Sequence, residues 1–290
     1  MTDYVLSVVV PVYNPGKLLE AQLAALCSQQ LDEPWEIILA DNGTTDSSLR
    51  ALHLDELPVP TRVVDASTRR GPSYARNQGA GHSVAPWLVF CDSDDIASPH
   101  WLSNLWAARE DGDIICGAWD VRELNEPFQL KARGGPLYGT ELPEGPCGFL
   151  SYAPSCNVLI SRDLFTRLGG WDESLSHCED VDLSWRAQIG GYSLAFADKA
   201  VMHYRFRRSL SAMVMQIYRY KTAEAALYAI YRAHGAQRQP LTKAIGRWWW
   251  IASRCPYVAL DRERRSVWLA VLASAVGRAH GSVVHRVFYP

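Results

Sequence analysis

The first 120 residues alternate short, apolar, β-branched runs with segments of helical spacing, and this alternation restricts the fold more than any other feature. Residues 5–12 are almost continuously apolar, as expected for a parallel strand buried on both faces. A turn follows, and residues 17–29 then place apolar side chains at helical spacing. Strands that alternate with helices predict an α/β fold with a mostly parallel central sheet flanked by helices.

The same signals predict the remaining elements. Strands are expected at 35–40, 62–64, 87–91, 114–121 and 192–197, and helices at 44–51, 72–82, 99–109, 161–168 and 179–189. Pro72 suits the first turn of its helix, because proline lacks only an N–H that would be unpaired there. The stretch 125–151 is rich in glycine and proline and is predicted to be loop, whereas the chain beyond residue 207 is predicted to be helical.

The net charge of −2 conceals a strong asymmetry. Residues 1–204 hold 14 Lys/Arg against 28 Asp/Glu, whereas residues 205–290 hold 15 against 3. An acidic half suits a cation, and a basic tail suits an anionic surface such as a membrane face, although the two halves could simply complement each other. The longest apolar run, residues 266–276, has 11 residues, fewer than the ~18 that span a bilayer.

Two further features concern location. Residues 1–6 carry an acid and no basic group, which argues against a secretory leader. The seven cysteines are scattered singly, without the spacing of a zinc site. We therefore predict a cytoplasmic protein in a reducing compartment.

Polar residues follow three of the predicted strands. They are Tyr13 and Asn14 after the first strand, Asp41 and Asn42 after the second, and Asp92, Ser93, Asp94 and Asp95 after the fourth. Because ligands bind beyond the carboxyl ends of the strands in such sheets, we expect one shared site. Two carboxylates one residue apart can hold Mg²⁺ or Mn²⁺ beside phosphate oxygens, although an acidic triplet alone also occurs in solvated turns.

Six sequence blocks, taken in order, resemble the family 2 glycosyltransferases. They are VVPVYN at 9–14, LADNGTTD at 39–46, RGPSYARNQG at 70–79, FCDSDD at 90–95, GGWDE at 169–173 and EDVDLSWR at 179–186. The resemblance covers residues 5–205 and implies the GT-A type of nucleotide-sugar-binding fold. It implies a catalytic domain at 1–205, with donor binding at 1–115 and the acceptor side at 116–205. A basic, aromatic-rich helical extension would follow at 206–290.

The resemblance also implies a donor site for a nucleotide-diphosphate sugar. Asp41 would hydrogen-bond the base with Tyr13 nearby, Pro11 would shape the first loop, and Arg76 would lie close to the diphosphate, where guanidinium suits phosphate geometry. The full donor set is Pro11, Tyr13, Asn14, Asp41, Asn42, Arg70, Gly71, Arg76, Asp92 and Ser93. Tyr13 could instead be a core aromatic, and Arg76 a partner in a surface ion pair.

The DXD motif Asp92-Ser93-Asp94 would, by the same resemblance, hold the cation. Asp94 and Asp92 are the expected ligands of Mn²⁺ or Mg²⁺, with His203 as an additional ligand. The cation would neutralise charge on the departing diphosphate. Lone histidines are more often structural, so the assignment of His203 stays open at this point.

The acceptor side depends on the last two blocks. By resemblance Asp180 is the general base that deprotonates the acceptor hydroxyl, and Glu179 supports it. Two acids at the start of a helix could also merely favour its dipole. Asn157, Trp171 and Asp172 complete the predicted acceptor side.

These features predict a metal-dependent, inverting glycosyltransferase of the hexosyltransferase type. Residues 216–220 are QIYRY, a near miss to the Gln-x-x-Arg-Trp of processive polysaccharide synthases. Because no apolar run is long enough to span a bilayer, addition of a single sugar is favoured over chain synthesis. The acceptor would be a saccharide, a lipid-linked molecule or a small molecule, and no nucleic acid is expected. Departures are also present: Asp41-Asn42 stands where many relatives carry two aspartates, which would alter the base contacts.

The tail allows more than one interpretation. Residues 241–290 interleave tryptophan with arginine, which suits peripheral contact with the inner face of a membrane. A helical subdomain that packs on the catalytic domain, or a homodimer interface, is the alternative.

Other functions also fit part of the pattern. A sugar-phosphate nucleotidyltransferase or a non-catalytic nucleotide-sugar-binding module would share the predicted sheet. The chain lacks the Gly-x-Gly-x-x-Gly of dinucleotide-binding enzymes after its first strand, and it lacks the Gly-Lys-Ser/Thr of P-loop NTPases.

Overall fold

Two compact units make up the chain in the computed structural model, which describes residues 4–259 and 261–290. The first unit takes in the chain up to Asp120 together with Tyr138–Pro143 and Ser151–Tyr204, and the second takes in Val121–Leu137, Glu144–Leu150 and Arg205–Pro290. The division at residue 205 that the sequence suggests stays a prediction. Residues 1–3, part of the segment that argued against a leader, and residue 260, within the aromatic tail, lie outside the described residues.

An eight-stranded mixed sheet organises the first unit. Its strands are β1 (Leu6–Val12), β2 (Trp35–Asp41), β3 (Thr61–Asp65), β4 (Trp87–Phe90), β5 (Ile96–Ala97), β6 (Ile114–Asp120), β7 (Val158–Ser161) and β8 (Leu194–His203), in the order β3-β2-β1-β4-β7-β6-β8-β5. The pairings β1–β2, β1–β4, β2–β3 and β6–β8 are parallel, and β7 and β5 run antiparallel to their neighbours. Six strands therefore share one direction, and their carboxyl ends lie at one edge of the sheet.

The helices number nine among the described residues. They are α1 (Leu18–Cys27), α2 (Pro72–His82), α3 (Trp101–Ala107), α4 (Pro127–Arg133), α5 (Arg162–Arg167), α6 (Glu179–Ile189), α7 (Leu210–Tyr231), α8 (Leu241–Ser253) and α9 (Arg262–Val284). In the first unit they cover both faces of the sheet, as expected for a mostly parallel sheet. Because side chains alternate along β1, Val8 and Val10 pack in one apolar core with α1 and α3, whereas Val9 packs in a second core on the other face.

The second unit is built around α7 and α9. These two helices pack closely because α9 carries glycines where it meets α7. A Cβ on Gly277 would lie 2.5 Å from the carbonyl oxygen of Tyr218, and one on Gly281 would lie 2.7 Å from that of Thr222. By length and composition, α9 is the one described helix that could cross a bilayer, with a mean hydropathy of 1.4 over its apolar window. A count of continuous apolar residues misses it because glycine, serine and charged residues interrupt the run, and packed core helices pass the same test.

Several sequence predictions of local structure are wrong. Residues 44–51 form turns rather than a helix, for a reason that lies in the site described below. The predicted loop 125–151 contains α4, whose start carries a capping box between Glu126 and Gln129 with Pro127 in the first turn. Strands β5 and β7 were not predicted, and β8 extends to His203, well beyond residue 197.

Candidate functional site

The carboxyl ends of the six co-directed strands bring polar residues to one edge of the sheet. Asp41 and Asp65 are neighbours in register at the ends of β2 and β3, Asp92 follows β4, and Asp120 and His203 are neighbours at the ends of β6 and β8. Pro11 lies in β1 beyond the last residue paired with β4, so its missing N–H breaks no ladder bond on that side. The strand order therefore places these polar residues along one edge of the sheet.

The loops after β1 and β2 are joined by side-chain caps. Asn14, at a positive φ of 47°, accepts hydrogen bonds at Oδ1 from the backbone N–H groups of Thr45 at 2.7 Å and Asp46 at 3.2 Å. Asp41 Oδ1 accepts the N–H of Thr44 at 2.7 Å. Hydrogen bonds from Ser48 to Asp46 lower the pKa of that carboxyl. In a helix the N–H of Ser48 would donate to the carbonyl oxygen of Thr44, but here it donates to Asp46 Oδ1 at 2.9 Å, so residues 44–51 form turns.

Asn42 fastens the end of β2 to the loop before α2. Its Nδ2 donates to the carbonyl oxygens of Ala66 at 2.6 Å and Arg69 at 2.7 Å, and its Oδ1 accepts the N–H of Gly71 at 2.9 Å. The residue is buried, and both of its amide hydrogens are used. An aspartate has no N–H to donate, so the departure from the Asp-Asp of many relatives has a structural cause.

An exposed pair of side chains lies beside this corner. The guanidinium carbon of Arg70 sits 4.5 Å from the centroid of the Tyr13 ring, a cation–π distance, and Arg70 Nη1 donates to the carbonyl oxygen of Asn42 at 2.6 Å. Tyr13 is 54% exposed, so it is not a core aromatic. Gly71 precedes α2 at a φ of 140°, a conformation that favours glycine. Tyr13, Arg70 and Gly71 thus lie together, and their contact with a donor stays a prediction.

Arg76 joins the turn after β4 to the start of α6. Its Nη2 donates to Asp92 Oδ1 at 2.6 Å, and its Nη1 donates to Glu179 Oε1 at 3.0 Å. The residue is only 3% exposed, and its guanidinium carbon lies 5.6 Å from the centroid of the Trp171 ring. Burial alone would lower its pKa, but the carboxylates of Asp92 and Glu179 outweigh that effect and raise it. The structure therefore places Arg76 in a buried ion-pair network rather than in a surface ion pair, and its proximity to a diphosphate stays a prediction.

The two acids at the start of α6 have perturbed protonation. Burial, followed by the charge of neighbouring Asp180, raises the pKa of Glu179 to about 7, against the lowering effect of Arg76. Burial also raises the pKa of Asp180, while hydrogen bonds from the N–H groups of Val181 at 2.9 Å and Ser155 at 3.4 Å oppose the rise. Cys178 precedes the helix at a positive φ of 66°, which turns the chain sharply into the acidic pair. Perturbed acids of this kind are typical of functional sites.

His203 comes close to a carboxylate that the sequence reasoning missed. In the first unit, ligand atoms of His203 and Asp120 lie within 4.8 Å of each other, and Asp120 is buried. His203 also pairs with Ile96 of β5, two residues after Asp94. Among the described residues, Asp92 and Asp94 do not join His203 and Asp120 at this distance, and the carboxylate of Asp92 is instead held by Arg76. An acid at the end of a buried strand, as at Asp41, was the available signal for Asp120.

The predicted acceptor-side residues differ in their surroundings. Asn157 is buried, donates from Nδ2 to the carbonyl oxygens of Ala118 and Ala200, each at 2.8 Å, and accepts from Trp101 Nε1 at 2.8 Å. Trp171 is buried against Phe90, with a ring-centroid distance of 5.1 Å, and thus supports Arg76 from the core. Asp172 is half-buried and caps its own turn by accepting the N–H of Ser174 at 2.8 Å. Contact of these three residues with an acceptor stays a prediction.

Asn77 is a second residue that the sequence reasoning passed over. Its Nδ2 donates to the carbonyl oxygen of Trp171 and to Glu173 Oε1, both at 2.9 Å, and its Oδ1 accepts the N–H of Trp171 at 3.0 Å. It follows Arg76 on α2, so two consecutive residues fix the acceptor-side block to the donor-side helix. Both lie in one block of the resemblance, but their partners about a hundred residues away could not be inferred from spacing.

Solved structures of similar fold show that the chain has the GT-A type of α/β fold. Over 96% of this chain and 87% of the other, it superposes on the mannosyltransferase PcManGT from Pyrobaculum calidifontis in complex with GDP-Man and Mn²⁺, with a TM-score of 0.60 and 17% identity. Staphylococcus aureus TarS 1–349 in complex with UDP-GlcNAc gives a TM-score of 0.56 at 18% identity, over 98% of this chain and 93% of that one.

The sequence assigns the family. The profile of glycosyl transferase family 2 matches residues 7–169, more than half of the chain, and the chain belongs to this family. The succinoglycan biosynthesis protein ExoA of Rhizobium meliloti is 34% identical over 256 residues, which cover 82% of this chain and 74% of that protein. The chain spans only 29% and 43% of the first two curated relatives that it matches.

Proposed function

We propose that the chain transfers a single sugar from a nucleotide-diphosphate sugar to an acceptor hydroxyl with inversion. The observation that carries the proposal is the double contact of Arg76 with Asp92 and Glu179, since it puts the donor-side turn and the acidic start of α6 side by side. Solved structures of similar fold contain UDP-GlcNAc or GDP-Man. The donor would rest at the corner of Tyr13, Arg70 and Asp41, where a stacked, exposed surface adjoins a carboxylate.

Asp180 is proposed as the general base and Glu179 as its support. The carboxylate of Glu179 is engaged by Arg76 at 3.0 Å, whereas that of Asp180 is oriented by backbone N–H groups and pairs with no cation among the described residues. A base must reach the acceptor hydroxyl and be ionised when it accepts the proton. Because burial raises the pKa of Asp180, the ionised fraction grows with pH, and the rate should rise on the acid side.

A divalent cation is proposed to bind at the edge of the sheet between His203 and Asp120, with Asp94, which does not lie within 4.8 Å of both, joining them only when the cation is bound. Imidazole nitrogen and carboxylate oxygen suit Mn²⁺, and carboxylates with phosphate oxygens suit Mg²⁺. The buried carboxylate of Asp120 near His203 is the structural reason for including it. When bound, such a cation would supply positive charge for the departing diphosphate. Asp92 would act chiefly through its contact with Arg76.

The testing experiment is a donor panel that includes UDP-GlcNAc and GDP-mannose, scored for nucleoside diphosphate release with and without Mn²⁺ and for product by intact mass. Asp180→Asn should lower turnover by about 10²–10⁴-fold while nucleotide affinity stays unchanged. Asp163→Asn is the matched control, because Asp163 is an exposed acid on α5 that pairs with the surface residue Arg167 and lies outside the proposed site. Full activity of Asp180→Asn would refute the base assignment, and pyrophosphate release would support a nucleotidyltransferase instead.

The proposal places the protein in the cytoplasm with peripheral membrane contact through residues 241–290. Support comes from the basic excess of the tail and from the length and hydropathy of α9. A membrane-bound or lipid-linked acceptor would suit such a location, whereas a soluble saccharide would not require it. Flotation with vesicles, with and without this segment, tests the contact.

A further inference from the structure

Helix α8 exposes an apolar face. Ala244 and Ile251 are buried, but four large side chains on another face are open to solvent: Leu241 at 55%, Ile245 at 65%, Trp248 at 46% and Trp249 at 74% exposure. Their spacing of four, three and one residues places them along one stripe of the helix, which we call the α8 stripe. Scattered apolar residues on a surface need no explanation, but a continuous stripe with two tryptophans does.

The second unit holds α8 by its other face. Trp268 of α9 donates from Nε1 to the carbonyl oxygen of Ile251 at 3.0 Å. The stripe is therefore presented outward from a supported helix. With all the described residues in place, each of the four side chains of the α8 stripe is still at least 46% exposed.

Helix α9 has a different environment, although its composition passes the test for a membrane span. Its glycines 277 and 281 bring it against α7, where even an added Cβ would lie within 3 Å of a backbone oxygen. That close packing shows that this side of α9 is occupied by protein. The outward apolar face of the second unit is thus better defined on α8.

The charge of the chain around α8 indicates what kind of surface the α8 stripe contacts. Residues 225–260 contain five basic residues and no acid: Arg232, Arg238, Lys243, Arg247 and Arg254. A second copy of the chain related by two-fold symmetry would bring two such basic segments together, which repulsion disfavours. An anionic surface with an apolar interior complements both the stripe and the charge.

We propose that α8 lies in the plane of an anionic lipid bilayer, with the α8 stripe inserted at the boundary of headgroups and acyl chains. Tryptophan suits that boundary because its ring is apolar and its N–H is polar. Lys243 is exposed on the opposite side of the helix, which is where interfacial helices carry their basic residues. This inference specifies the membrane contact of the proposed function and rests on it for its biological purpose, but vesicle binding requires no sugar transfer.

The experiment is flotation of the full chain with vesicles of phosphatidylcholine alone or with 30% phosphatidylglycerol, at low and high salt. We expect flotation with the anionic vesicles only, and less of it at high salt. Trp248→Ser/Trp249→Ser should reduce partitioning by about tenfold or more. Lys243→Glu should reduce it by about fivefold or more. Val84→Ser is the matched control, because Val84 is an exposed apolar residue of the first unit, and it should float as the unchanged chain does.

A second readout guards against misfolding of the variants. Lipids brominated near the headgroup should quench tryptophan fluorescence in the unchanged chain, and Trp248→Phe/Trp249→Phe should lose most of that quenching while it still floats. Failure of the unchanged chain to float, or equal flotation of Trp248→Ser/Trp249→Ser, would overturn the inference. A dimer that Trp248→Ser/Trp249→Ser dissociates, without flotation, would assign the stripe to a second copy and also overturn it. Nucleoside diphosphate release, measured without vesicles, separates these failures from failure of the proposed function.

Discussion

Replacing Arg76 with methionine tests the central ion-pair network of the site. The change keeps an apolar stem of similar length but removes the guanidinium that contacts Asp92 at 2.6 Å and Glu179 at 3.0 Å. Glu179 then stays buried beside Asp180 without its cation. Removing one partner of a buried ion pair typically costs 3–5 kcal/mol, mainly because the other charge is left uncompensated, so about 3 kcal/mol is expected here. The side chain of Asp92 is 28% exposed, so its part of the loss is small.

The loss should depend on pH, and its sign follows from Glu179. Its pKa of about 7 in the folded protein lies above the ordinary value of 4.5, so the folded state holds a proton that the unfolded chain releases between these pH values. Stability contributed by this group is therefore fully present below pH 4.5 and is lost as the pH rises through about 7. Without Arg76 the pKa of Glu179 rises further, because a lowering influence is gone. The variant should thus lose about 3 kcal/mol at pH 8 and about 1–2 kcal/mol at pH 5.5, where Glu179 is protonated in both proteins.

Thermal melting at the two pH values measures the effect. At about 2–4 °C per kcal/mol for units of this size, the variant should melt about 6–12 °C below the unchanged chain at pH 8, and distinctly less at pH 5.5. Arg186→Met is the control, since Arg186 is on α6 with Glu179 but pairs with Asp182, at 2.7 Å, instead of with Glu179. Its loss should be similar at both pH values. Equal losses for Arg76→Met at pH 5.5 and pH 8 would refute the argument.

Three further substitutions test other parts of the structure. Asn42→Asp should lower the free energy of unfolding by about 2–4 kcal/mol, because two carbonyl oxygens lose their buried donor. Asn104→Asp, at a half-exposed position, should lower it by less, and the melting temperatures of the two variants test this difference. Gly281→Ala should lower the free energy of unfolding by about 1–3 kcal/mol, because the added Cβ would clash with α7. Gly246→Ala, at an open position on α8, should raise it by up to about 1 kcal/mol, and thermal melting measures both changes. Asp120→Asn should weaken Mn²⁺ binding by about tenfold or more in calorimetry, and unchanged affinity would remove Asp120 from the proposed cation site.

Much of the fold could be predicted because its signals are local. The apolar runs of β1, β2 and β4 and the proline at the start of α2 are each visible within a dozen residues, and α2 and α6 have the predicted bounds. Strands β5 and β7 escaped prediction because they are only two and four residues long and pair with partners distant in the chain. Helix α4 was hidden by nearby glycines, although Glu126-Pro127 and Gln129 carried a capping signal.

The candidate site was likewise predictable only where its signals are local. Which polar residues lie at the sheet edge follows from strand order, so Asp41 and Asp92 were predictable. What each side chain binds was not, because the partners are far apart in sequence: Arg76 and Glu179 are separated by 103 residues. The sequence therefore suggested that Arg76 lies near a diphosphate, but it could not show that Arg76 also joins Asp92 to Glu179 in a buried ion-pair network.

The charges around Arg76 define what the site still requires. Asp92, Glu179 and Asp180 all act on this one guanidinium, so three carboxyl groups share a single positive charge. With all three ionised the local sum would be −2, which buried groups tolerate poorly. Burial raises the pKa of both Glu179 and Asp180, and the charge of Asp180 raises that of Glu179 further. A proton on Glu179 near neutral pH removes part of the repulsion and leaves Asp180 easier to ionise. If this division of charge is right, Glu179 is already neutral at the pH where Asp180 ionises, so Glu179→Gln should leave the pH of half-maximal rate nearly unchanged. A half-maximal pH that falls in Glu179→Gln would show that Glu179 is instead ionised, and opposes Asp180, when Asp180 titrates.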